Sequence, residues 1–170
     1  MADEHEHEHH HEHEPHHEHQ HVLRYEDALA QFRADKDAFF RTSPNSPIPA
    51  PEREAFSGLP YYPVDEALSF DALTLDPYTG NEPVRFEIPT SDGKTRKAER
   101  AGVFRFPLGG ADRTLTAYIF EGDDLSNVFV PFLDATSGTE TYGAGRYLDI
   151  EREDDGTYSL DFNLAYHPSC

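Results

Sequence analysis

Apolar and polar positions follow two different periods along this chain. Tyr25, Leu29, Phe32, Phe39 and Phe40 recur at helical spacing, with Glu26, Asp27, Arg33, Asp35 and Asp37 between them. That spacing predicts an amphipathic helix whose charged residues form its outer face. The helix is expected to stop at TSPNSPIPAPE, where Pro44, Pro47, Pro49 and Pro51 favour extended, polyproline-like chain. A second short segment, EREAFSGLPYYP, ends at Gly58 and leads into Tyr61 and Tyr62.

Beyond that point the period becomes two. Val84, Phe86 and Ile88 alternate with other residues, as do Phe104, Phe106 and Leu108, then Leu115, Ala117 and Ile119. Val128, Val130 and Phe132 follow, then Leu148 and Ile150, and last Tyr158, Leu160, Phe162 and Leu164. SDG, GGAD, EGDD and DDG supply turn signals between these runs. Strands in series with no helix among them predict a mainly β fold, an antiparallel barrel-like or sandwich sheet of about 6–8 strands. The one N-terminal helix, which makes the fold α+β by count, is expected to cover an open edge or end of that sheet.

Residues 1–21 break both patterns, with ten histidines, six glutamates and one aspartate. Such a stretch cannot bury enough apolar surface to fold, which predicts a disordered His/Glu-rich tail over 1–21 and a single β-rich domain over 22–170. The domain holds every Phe and Tyr and is long enough to bury a core.

Charge narrows the partners. Thirty-three acids against 14 bases give −19, which repels phosphate backbones and anionic lipid and excludes nucleic acid and membrane as main partners. Only Lys36, Lys94 and Lys97 are lysines, beside eleven arginines. Many acids with few lysines suit a halophilic protein, because salt screens the self-repulsion; an ordinary acidic protein is the alternative. Cys170 is the sole cysteine, so no internal disulfide forms, and no apolar run could span a bilayer. A cytoplasmic setting is expected.

The stretch PFLDATSGTETYGAGRYLD carries the densest candidate chemistry of the domain. It joins two predicted strands by a long loop, and long ordered loops tend to be functional. Thr136, Ser137, Thr139, Thr141 and Tyr142 crowd hydroxyls together, and Asp134 is placed to accept from N–H groups two or three residues on. Arg146 could clamp a ligand carboxylate or bridge to Asp134 or Asp149. Gly143-Ala144-Gly145 lacks the third glycine and the helix of a dinucleotide motif, no lysine serves a phosphate loop, and Ser137 lacks the glycines of a nucleophile elbow. His167 and Cys170 have a zinc-compatible spacing but no further Cys or His in the domain to complete it.

The tail is the second candidate site. His5, His7, His9, His10, His11, His13, His16, His17, His19 and His21 are expected to bind divalent transition metal ions, with Zn, Ni or Cu as candidates, while the domain itself requires no cofactor. A passive solvating tail and an affinity tag are the other readings; Pro15 and Gln20 interrupt the run in a way that favours a native segment.

DKDAFFRTSPNSPIP, FSGLPYYPVD, VPFLDATSGTETYGAGRYLDI and LDFNLAYHPSC, in that order, resemble one family of bacterial and archaeal proteins, domain of unknown function 1684. The resemblance runs over residues 24–170 and implies no activity. It implies that Asp134, Thr136, Gly138, Thr141, Tyr142, Gly145 and Arg146, with Asp161, Asn163 and Tyr166, match the family's hallmark positions. The family has asparagine where His167 stands, and continues past the cysteine matching Cys170, so the chain is expected to be truncated or shortened there. The leading expectation is a module binding an unknown small molecule, with Asp134, Thr136, Thr141, Tyr142, Arg146, Asn163 and Tyr166 as ligand-binding candidates. The alternatives are a small-molecule enzyme using the 133–146 loop and a purely structural or interaction protein.

Overall fold

The computed structural model describes residues 24–89 and 94–167. Helix α1 (Tyr25–Thr42) is followed by a 3-10 turn (Ala50–Ala55) and seven strands. These are β1 (Ser69–Leu73), β2 (Arg85–Pro89), β3 (Thr95–Leu108), β4 (Ala111–Phe120), β5 (Asn127–Phe132), β6 (Arg146–Glu151) and β7 (Tyr158–Asp161). These strands pair antiparallel throughout: one sheet runs β2-β3-β4-β5-β6, and β1 pairs with β7 in a second.

Most of the period-two residues build the core; the exceptions are Val84 and Leu164, which are exposed, and Phe86 and Ile88, which lie with Tyr118 and Phe129 on the other face of the sheet. Phe104, Phe106, Ala117, Val128, Val130, Phe132, Leu148 and Ile150 share the inner face of the large sheet, and Tyr158 and Leu160 of β7 close over them. Phe162 is the central ring, 5.1 Å from Phe132, 5.6 Å from Phe106 and 6.2 Å from Phe70. Burying a ring of this kind contributes roughly 1.5–3 kcal/mol, so alternation on β3, β5 and β6 accounts for much of the stability.

The sheet does not close into a barrel. Its seams are isolated bridges, Asp76 to Val103 on β3, and Arg152 to Tyr158 and Tyr147 to Tyr166 along β6. Barrel closure needs a full ladder with consistent stagger at every seam, and β1 and β7 are five and four residues long. The result is sandwich-like. β1 has no period-two signature, because its register shifts between Phe70 and Leu73 and Ala72 takes a φ of 55°. The apolar run from Tyr158 also divides, its last residues Phe162–Leu164 forming a 3-10 turn.

The helix docks with a different face from the one its aromatics predict. Leu29 is buried, but Phe32 and Phe39 are 46% and 45% exposed. Arg33 and Asp37, expected outside, instead meet the GLPYYP segment. Arg33 lies over the Tyr61 ring at 4.9 Å and donates to Tyr62 O at 2.9 Å, and Asp37 Oδ1 accepts from Leu59 N and the Tyr61 hydroxyl. These hydrogen bonds and the cation–aromatic contact set the helix orientation against its apolar pattern, although Arg33 Nε stays buried without a hydrogen-bond partner.

Candidate functional site

The 133–145 loop is folded upon itself. Asp134 Oδ1 accepts from Thr136 N at 2.9 Å and from Thr136 Oγ1 at 2.5 Å, and Ser137 Oγ accepts from Asp134 N at 3.1 Å. Thr136 and Thr141 share a hydroxyl–hydroxyl bond of 3.0 Å, while the Thr136 carbonyl accepts from Thr139, Glu140 and Thr141 N–H groups. Arg146 Nη2 donates to Asp134 Oδ2 at 2.5 Å, closing the loop at its base. Gly145 makes that closure feasible: its φ is +104°, and a Cβ there would lie 2.5 Å from Phe132 O.

Burial alone would raise the Asp134 carboxyl, but hydrogen bonds from Thr136 and Arg146 outweigh it and hold the group below its ordinary value. The Arg146 guanidinium lies over the Phe132 ring at 5.2 Å and the Tyr62 ring at 5.8 Å, and the Tyr62 hydroxyl donates to Glu140 at 3.1 Å. Arg146 Nε is buried without a partner, so part of its desolvation is not recovered.

The seven ligand-binding candidates fall into separate groups. Asp134, Thr136, Thr141 and Arg146 form the locked loop just described. Tyr142 belongs to the loop by sequence, but its ring is 46% exposed. Asn163 lies elsewhere in the hydrogen-bond network: its amide donates to Tyr25 Oη, Asp65 O and Asp161 Oδ1, and its Oδ1 accepts from Asp65 N, joining α1, β7 and the chain before β1. Tyr166 donates to Asp149 Oδ2 at 2.5 Å and exchanges backbone bonds with Tyr147. Burial first, then the Asp149 carboxylate, pushes the Tyr166 hydroxyl well above its ordinary value. His167 is exposed. The ten tail histidines and Cys170 lie outside the described residues. Among the described residues no group of three or more His, Cys, Asp or Glu is placed to hold a metal. No described helix is long and apolar enough to cross a membrane.

A cleft of about 470 Å³ opens on the outer face of the large sheet. Its floor is Tyr118, Phe120 and Phe129, and its rim includes Arg96, Asp123, Asp124, Asn127 and Asp149. Strand register makes this floor, because Arg100 faces Tyr118, Tyr118 faces Phe129, and Phe129 faces Asp149. One side-chain row thus crosses four strands, from a guanidinium to the carboxylate that Tyr166 holds. Aromatic contacts continue it, with Phe129 5.5 Å from Phe120 and 4.8 Å from Tyr147, and Tyr147 5.9 Å from Tyr166. The sequence held one signal for the cleft: Tyr118, Phe120, Phe129 and Tyr147 occupy the alternate positions that a one-sided sheet reserves for polar residues.

The rim carboxylates are held by hydrogen bonds. Asp123 Oδ2 accepts from Phe120 N at 3.3 Å and bridges Arg96 at 3.7 Å. Asp124 Oδ1 accepts from Ser126 N at 2.8 Å, and its bonds with Ser126 hold the carboxyl below its ordinary value. Arg96 lies 3.7 Å from the centroid of the Phe120 ring.

Fold and cleft together define a β-sandwich-like module whose second sheet face is aromatic. The chain belongs to the family described as Protein of unknown function (DUF1684), whose model matches residues 54–170. It is similar to an uncharacterized protein of Haloarcula marismortui solved by solution NMR, at 35% identity and a TM-score of 0.59, over 86% of this chain and 80% of that one. No curated protein matches the chain.

Proposed function

We propose that the domain is a small-ligand-binding β module whose ligand occupies the outer-face cleft. One observation carries this reading: Tyr118, Phe120 and Phe129 form a half-buried aromatic floor beneath an open concavity edged by fixed polar groups. An apolar floor with a few oriented polar groups is the usual composition of a small-molecule site. The locked loop supports the same choice, since the hydroxyls of Thr136 and Thr141 and the Asp134 carboxylate are already engaged with one another or with Arg146.

A library of small fragments of mixed charge, screened by amide chemical shifts, tests the reading. Saturable shifts confined to Gly122, Asn127 and Phe129 are expected. A library that leaves these amides unmoved, or that shifts Thr136 and Gly138 instead, contradicts it.

A second role rests on the tail. Ten imidazoles within residues 5–21 favour capture of Zn, Ni or Cu in a cytoplasm, and the excess of acids favours a halophilic one. Elemental analysis of protein purified without an affinity step should find several ions per chain, absent when the chain begins at Val22. Unfolding midpoints should rise with KCl; a flat or falling response would remove the halophilic part.

A further inference from the structure

We infer that the cleft selects an organic cation, and that Arg96 is its internal stand-in, occupying the aromatic floor when no ligand is bound. This rests on the cleft being a ligand site. An aromatic face attracts cations through its quadrupole, most strongly when the cation is close and partly desolvated. The Arg96 guanidinium sits 3.7 Å from the Phe120 centroid, well inside the roughly 6 Å over which that attraction acts. The fold therefore displays the chemistry that this ring accepts.

The rim charges favour the same sign. Asp123, Asp124 and Asp149 edge the cleft, and Arg96 is already bridged to Asp123 at 3.7 Å. An incoming anion would meet three carboxylates and a cation whose charge is spoken for. An incoming amidinium or ammonium would meet an aromatic face and three exposed carboxylates able to accept from it.

Arg96 is suited to yield the site. Its side chain is half exposed, like that of Asp123, so displacing it into water breaks only a weak, screened ion pair. Arg100 differs: its side chain is 12% exposed and bonded to Glu82 and Pro83. It remains in place over Phe86 at 4.3 Å as a fixed end of the row. A ligand with one planar cationic head and a short apolar body would replace Arg96 on Phe120 and extend towards Phe129 and Asp149.

Three probes of nearly equal shape separate charge from shape: benzamidine, benzamide and benzoate. Each is titrated into the full chain at low ionic strength, well above the imidazole pKa, while the amides of Gly122, Asn127 and Phe129 are followed. Benzamidine should bind at least about tenfold more tightly than benzamide, with benzoate silent. Arg96→Gln, which removes the stand-in, should tighten benzamidine about two- to fivefold, with unchanged thermal unfolding as the check on folding. Equal or tighter binding of benzamide or benzoate overturns the cation preference and leaves the cleft a ligand site. Weaker benzamidine binding in Arg96→Gln overturns the stand-in role. Silence from all three probes overturns the cation assignment alone if some other fragment binds these amides, and the ligand site as well if none does.

Discussion

Asp134 and Arg146 stand twelve positions apart and hold the two ends of one loop, Arg146 Nη2 donating to Asp134 Oδ2 at 2.5 Å. The arginine side chain is only 14% exposed and the aspartate 33%, so the pair is screened less than a surface ion pair. Asp134→Ala removes the acceptor for Thr136 as well and is expected to cost about 2 kcal/mol in urea unfolding. The Asp134→Ala/Arg146→Met double variant should cost less than the two single variants together, because the second change no longer strands a buried partner. Strict additivity would show that the two groups are not coupled.

Acid should open this loop before it unfolds the domain. The Asp134 carboxyl is held below its ordinary value. Its contribution is therefore complete above about pH 4 and disappears as pH falls through the lower, folded value. Amide shifts of Thr136 and Gly138 followed against pH should titrate together below about pH 4, and Asp134→Asn should abolish that step. A midpoint at or above the ordinary carboxylate value would contradict the hydrogen-bonded assignment.

Two glycines are expected to be intolerant of a methyl group. At Gly145 a Cβ would meet Phe132 O at 2.5 Å on a backbone with φ of +104°, and at Gly102 it would meet Asp76 O at 2.5 Å, where the chain after β1 bridges to β3. Alanine at either site should cost about 2–3 kcal/mol. Gly143→Ala is the control, since its Cβ would lie 3.6 Å from Gly138 Cα, an ordinary contact; it should change stability by less than about 0.5 kcal/mol.

Alkali should release the helix. The Tyr25 hydroxyl donates to Asp161 at 2.7 Å and that of Tyr61 to Asp37 at 3.0 Å. Burial first, then the carboxylate partners, pushes both hydroxyls up to about 12. A group whose folded pKa is raised stabilises fully below its unfolded value, here about 10, and loses that contribution as pH rises through the folded value. Tyrosinate absorbance and helical circular dichroism should therefore change together between about pH 10 and 12. Tyr25→Phe with Tyr61→Phe should uncouple them. Helix loss below pH 10 would contradict the scheme.

How much of this was legible in the chain varies by element. Strand alternation exposed the inner residues of β3, β5 and β6, because one covered face imposes a strict period of two. β1 was not legible, since the register shift and Ala72 at φ 55° break that period. The helix was legible as a helix but not in its orientation, because Arg33 and Asp37 dock through hydrogen bonds that hydrophobic periodicity does not register. Asp134, Thr136, Thr141 and Arg146 could be gathered from sequence because they share one loop.

The cleft could not be gathered that way. Arg100, Tyr118, Phe129 and Asp149 come from four strands and only pairing register brings them into one row, while Arg96 joins Tyr118, Phe129 and Asp149 in one concavity. By itself the sequence determined the strand series, the inner core and the crowded loop, which depend on local spacing. The tertiary structure alone decided which hydroxyls and carboxylates satisfy one another, and which sheet face remains open. Both are set by contacts between residues far apart in the chain, whose pairing no local pattern encodes.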